Sequence, residues 1–147
     1  MVQDDGPYLL AALLCERAYQ NEYGAFNIDG VIEELVVQAN GPRAPKDMPP
    51  FRLEGFAVIA FAAGVARGAY RVTLVPIRPN GERLEPVSQQ ISFDSDESRY
   101  TAVYNLSLDV TEPGLYWFDV LLNERLVSRI PVRIRYNRNV LQLLNAM

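Results

Sequence analysis

Histidine is missing altogether from the 147 residues. That absence removes the commonest general base, the commonest metal ligand, and both the Ser-His and Cys-His nucleophile pairs. Cysteine is nearly missing too. Cys15 stands alone, so no intrachain disulfide can form, a usage that fits a reducing compartment. The apolar run Tyr8 to Cys15 is too short for a membrane span, and Asp4 and Asp5 precede it where a signal peptide carries basic residues. Neither a signal peptide nor a membrane segment is expected, and the chain reads as soluble and cytoplasmic. Positive charge is in deficit, with 14 Lys+Arg against 18 Asp+Glu and a net charge of −4. Bulk attraction to nucleic acid or anionic lipid is therefore not expected.

What is present is ordinary globular material. The apolar fraction of 49% and charged fraction of 22% exclude a disordered chain. The length fits one domain, 1–147, able to bury a core without staples. Charge is placed unevenly. Residues 1–112 hold 9 basic and 16 acidic side chains, whereas residues 113–147 hold 5 arginines and 2 acids.

Alternation, not helical periodicity, dominates the pattern. Tyr100, Ala102, Tyr104, Leu106, Leu108 and Val110 are apolar or aromatic, and mostly polar residues stand between them. Tyr116, Phe118, Val120 and Leu122 repeat the pattern. So do Ile130, Val132, Ile134 and Tyr136, set against Arg129, Arg133 and Arg135. Each such run reads as a strand with one dry face. The spacing predicts strands near 8–18, 26–37, 52–62, 69–77, 83–93, 100–110, 115–122 and 126–136. Turn chemistry falls between several of them, including Pro79-Asn80-Gly81-Glu82, whose Asn-Gly favours a tight hairpin. Short strands with turn signals about every ten residues indicate one all-β domain, a single antiparallel β-sandwich of seven to nine strands, with a closed barrel as the alternative. Residues 38–50 carry Pro42, Pro45, Pro49 and Pro50 and cannot be a central strand, so they are expected to cross between sheets. The tail, 139–147, is leucine-rich and is expected to form a short C-terminal helix or to dock on the body.

Three stretches carry a resemblance: Ala11-Ala12-Leu13-Leu14-Cys15-Glu16, Pro79-Asn80-Gly81, and Glu112-Pro113-Gly114-Leu115-Tyr116-Trp117-Phe118-Asp119-Val120-Leu121-Leu122-Asn123. Together they resemble a family of uncharacterised bacterial β-sandwich proteins, a domain of unknown function. The resemblance implies a fold and no activity. The step Gly114-Leu115-Tyr116 also resembles the tyrosine corner of immunoglobulin-like sandwiches, in which a Tyr hydroxyl bonds back across a turn. The proline-rich loop and leucine-rich tail depart from the family.

Carboxylates are what remains for acid–base work. Asp94, Asp96 and Glu97 cluster in a polar loop. A hard-cation site would need more oxygens than they supply, so a solvated loop is the expectation. Cys15 lies in an apolar run with no base beside it and reads as structural. No catalytic residue, metal ligand or cofactor is assigned. Arg129, Arg133 and Arg135 share one strand face. They form either a docking stripe for an acidic or phosphate partner or a set of ion pairs with the chain's own carboxylates.

Apolar residues on the wrong face are the best functional clue. If Tyr116, Phe118, Val120 and Leu122 point inward, then Leu115, Trp117 and Leu121 point outward. Phe56 and Val58 oppose the face carrying Leu53, Ile59 and Phe61. Surplus outward apolar surface is covered by the loop and tail or by a partner. The expectation is a non-enzymatic module that associates with itself or with another protein through such a face, with Trp117 as anchor. A small-molecule or carbohydrate binder, or weak hydrolase, and a nucleic-acid accessory using the arginine stripe are the alternatives.

Overall fold

The period-two runs become strands, and their dry faces meet in one layer. The computed structural model describes residues 5–140. Nine strands follow one another: β1 (Tyr8–Gln20), β2 (Phe26–Val31), β3 (Glu34–Asn40), β4 (Phe51–Ala62), β5 (Gly68–Ile77), β6 (Val87–Phe93), β7 (Arg99–Val110), β8 (Gly114–Leu122) and β9 (Arg125–Asn139). They form a four-stranded sheet, β2-β1-β4-β7, and a five-stranded sheet, β3-β9-β8-β5-β6. The two sheets pack as a sandwich. Tyr116, Phe118, Val120, Ile130 and Val132 enter the core from the five-stranded sheet, and Leu14, Ile59, Phe61, Tyr104 and Leu106 from the four-stranded one. Full burial of such side chains stabilises by roughly 1.5–3 kcal/mol each, so this layer dominates the energetics.

Two tyrosines fasten the layer. Tyr104 on β7 donates its hydroxyl to the Val72 carbonyl of β5 at 2.8 Å, a buried bond from one sheet to the other. Tyr116 donates to the Glu112 carbonyl at 2.7 Å, which is the corner that the Gly114-Leu115-Tyr116 step led us to expect. Gly114 makes that corner possible. Its φ is +138°, and a Cβ there would sit 2.8 Å from the Pro79 side chain.

Several expectations are corrected. The run 26–37 is two strands in different sheets. Between them Ile32 is buried and donates its N–H to the Leu14 carbonyl at 2.8 Å, whereas the Glu33 carbonyl accepts from the Arg133 N–H at 3.1 Å. Alternation marks a strand but not the sheet that receives it, so the crossing left no mark in the pattern. Pairing is antiparallel throughout except for β3, which runs parallel to β9. The strand expected from residue 83 begins at Val87, after Pro86. Asn80-Gly81 does turn the chain. The turn closes wide, through the Arg78 N–H to the Glu82 carbonyl at 2.9 Å, with an isolated bridge at Ile77 and Arg83. The proline-rich loop crosses from β3 to β4 as expected and buries Ala44 and Met48. β9 continues to Asn139, and no helix occurs among the described residues; the tail expected to form a short helix or to dock, with Leu141, Leu143 and Leu144, lies outside them from residue 141 on.

One feature had no sequence signal. From Cys15 to Gln20, β1 pairs with β2, while its pairing with β4 stops at Cys15 and Phe56. The cause is local. A Cβ on Gly55 would lie 2.5 Å from the Cys15 carbonyl oxygen, so the strands touch there and then part. Residues 16–30 therefore form a two-stranded ribbon with Tyr19 and Tyr23 exposed.

Burial in the core, with the Tyr100 phenol nearby, pushes the Tyr104 hydroxyl up to about 12 from an ordinary 10.0. Above pH 10 the unfolded chain gives up this proton while the folded one keeps it. The stability it carries is therefore complete below pH 10 and is lost as pH rises through 12, a loss of roughly 3 kcal/mol. Urea midpoints measured from pH 8 to 12 should fall steeply for the native chain. They should fall less for Tyr104→Phe, which should lose about 1 kcal/mol at pH 7. Equal slopes for the two would contradict this assignment.

Candidate interface

Both sheets carry apolar side chains on their outer sides. On the five-stranded sheet, Leu115, Trp117 and Leu121 of β8 face outward and are half-buried. Trp117 pairs with Ile77 on one side and Pro131 on the other, and Asp119 pairs with Val75 and Arg129. Asp119 is 7% exposed, the only buried charged residue among the described residues. Arg129 donates its Nε to Asp119 Oδ1 at 2.7 Å. The same guanidinium lies over the Trp117 ring, 4.9 Å from its centroid, a geometry that favours cation–π attraction. The tryptophan expected as a bare anchor is thus capped by the chain's own cation.

Phe56 and Val58 lie on the opposite side of the molecule, on the outer face of the four-stranded sheet. Register aligns them in rows across three strands: Ala11, Ala60 and Thr101; Leu13, Val58 and Val103; Cys15, Phe56 and Asn105. The intervening residues Leu14, Ala57, Ile59, Ala102 and Tyr104 fill the core, which fixes these rows as outward. No charged side chain interrupts them. Val58 is 2% exposed although it is outside the core cluster. Cys15 is also buried here, and that burial, more than the nearby Asp29 charge, pushes its thiol up despite an opposing backbone hydrogen bond. The five interface residues therefore form two faces and not one patch.

Between the sheets, beside β1 and β9, lies a groove of about 420 Å³. Ala12, Leu13, Leu14, Leu115, Ile130 and Pro131 line it, and Glu33 and Arg133 stand at its rim. A family model described as a family of unknown function (DUF6941) matches residues 10–135, from β1 into β9. The chain belongs to the DUF6941 family. A comparison with the curated proteins found no match. In this DUF6941 chain the matched stretch includes both outer faces, the groove, and all three stretches that carried the resemblance.

The arginine stripe divides between its two readings. Arg129 is engaged by Asp119, and Arg135 by Glu34 across the parallel β3–β9 pair. Arg133, between them in the strand, has no carboxylate partner among the described residues. In the acidic loop Asp94 accepts from the Ser98 hydroxyl at 2.7 Å, and Asp96 pairs with Arg67. No group of three potential metal ligands gathers among the described residues. No helix among them is long and apolar enough to cross a membrane. Sequence reasoning missed Asp119, Val75 and Ile77 as members of the outer face. The signal was available for Asp119. It breaks the outward series Leu115, Trp117, Leu121, and an arginine faces it ten residues on.

Removing Arg129 should leave Asp119 buried and unpaired. Arg129→Leu should cost about 2 kcal/mol, a figure held down because the guanidinium is half-exposed. The double variant Arg129→Leu, Asp119→Leu should recover most of that loss. Chemical denaturation of the native chain and these two variants checks this, and a double variant no better than the single would contradict it.

Proposed function

We propose that this DUF6941 chain is a non-enzymatic interaction module that associates with a second copy through the outer face of its four-stranded sheet. One observation carries the reading: Leu13, Phe56, Ala60 and Val103, half-buried around the buried Cys15 and Val58, form an apolar patch three strands wide with no charged residue in its rows. The solvated side of a sandwich sheet ordinarily alternates to polar residues, and contiguous apolar surface of this kind marks interaction sites. The opposite face differs, since Arg129 and Asp119 already complete it. Trp117 is therefore not the anchor in this reading; Phe56 is.

The architecture we infer is immunoglobulin-like. The row β1-β4-β7 facing β9-β8-β5-β6 corresponds to strands A-B-E facing G-F-C-C′, and the Tyr116 corner sits at the start of the strand equivalent to F. The fold itself implies no chemistry. Engagement of Arg129 and Arg135 by the chain's own carboxylates favours a protein partner over a phosphate backbone. A single buried cysteine fits a reducing compartment.

Light scattering at micromolar concentration tests the reading. The native chain should show a multiple of its 16.6 kDa mass. Phe56→Glu should return it to one chain without loss of fold, and Trp117→Glu on the far face should not. A native chain that scatters as a monomer would sink the proposal.

A further inference from the structure

Among the described residues the sandwich lacks half a strand along one side. β2 lies beside β1 only from Cys15 onward, because the chain leaves the four-stranded sheet at Ile32 and enters the other. Next to Leu9–Leu13 the same place in the sheet holds no strand among the described residues. The five-stranded sheet shows the matching gap, since β3 accompanies β9 only from Arg133 onward. The groove of about 420 Å³ occupies this double gap.

Backbone direction decides which strand can accept a partner. The Leu14 carbonyl points to the open side, where Ile32 bonds it, so by alternation the N–H and C=O of Ala12 point there too. No backbone bond joins Ala12 on that side among the described residues. On β9 the Arg133 N–H points to the β3 side, so the nitrogen of Pro131 does as well, and it has no hydrogen to give. Proline on an edge is a common device against strand addition. β9 is therefore blunted, whereas β1 presents Leu10-Ala11-Ala12-Leu13-Leu14 with neither proline nor charge.

We infer that β1 is a strand-addition site, taking an extended segment of a partner protein that is apolar at alternate positions and carries a carboxylate opposite Arg133. The place beside Leu9–Leu13, which no described strand fills, spans roughly 17 Å, about five residues at 3.3 Å each. The added strand would bond Ala12, press alternate side chains against Leu14, Ile130 and Pro131, and bring its acid to the one stripe arginine without a carboxylate of its own. Main-chain bonds give such complexes affinity, and the side-chain pockets give selectivity. The inference is separate from the outer-face reading and can stand or fall without it.

Two labelled peptides test it by fluorescence anisotropy: acetyl-Val-Thr-Val-Thr-Val-Glu-amide and its lysine-ended counterpart. The glutamate peptide should bind the native chain about fivefold more tightly, as one exposed charge contact allows. Arg133→Gln should erase that preference. Ala12→Pro should weaken both peptides at least about tenfold, since it removes an edge donor while leaving the β4 ladder whole. Phe56→Glu should leave binding unchanged, which separates this site from the outer face. Absence of saturable binding would overturn the inference, as would Ala12→Pro binding like the native chain. Binding that appears only when Leu143 and Leu144 are both replaced by Glu would also overturn it, by making the chain's own tail the occupant.

Discussion

Burial of a single layer between two sheets is the constraint that organises this protein. Phe118, Tyr116, Phe61 and Leu14 are almost wholly removed from water within it. The chain has no disulfide, no helix among the described residues and no metal cluster among them with which to brace itself otherwise. Each strand must turn one face inward, and every other feature follows from how the remaining faces and edges are disposed. Tyr104 shows the constraint at one atom: its hydroxyl would be costly in that layer without the Val72 carbonyl to receive it.

Faces and edges were legible to different degrees. Strand faces are local, since two residues of separation decide them, so Tyr104, Leu106 and Phe118 could be assigned to one interior from the alternation alone. Partners and edges are not local. Whether Glu34 belongs with the strand before it or crosses to β9 depends on residues a hundred positions away. Gly55 carries no message until Cys15 is seen to pass against it. The proline-rich loop was readable because proline acts through its own ring, whichever sheet lies near.

The candidate interface was half legible for the same reason. Outward placement of Leu115, Trp117, Leu121, Phe56 and Val58 followed from period two. Their division between opposite sides of the sandwich did not, because sheet membership was hidden. Nor did the fate of Arg129 and Arg135, whose carboxylates, Asp119 and Glu34, come from a neighbouring strand and from across the chain. Once those pairs are drawn, an apparent basic stripe reduces to Arg133, and an apparent aromatic anchor becomes a capped ring. The proposed function thus rests on a smooth apolar face and on a strand position that no described residue fills, and not on the residues most conspicuous in the sequence.

That half-empty edge is where the architecture and the proposed recognition coincide, and amide hydrogen exchange reads it residue by residue. The account predicts that the Leu13 amide, which points to β4, exchanges at the slow rate of the core, while the adjacent Ala12 amide exchanges orders of magnitude faster. Equal protection of Ala12 and Leu13 in the isolated chain would contradict it, because a strand would then already lie beside β1.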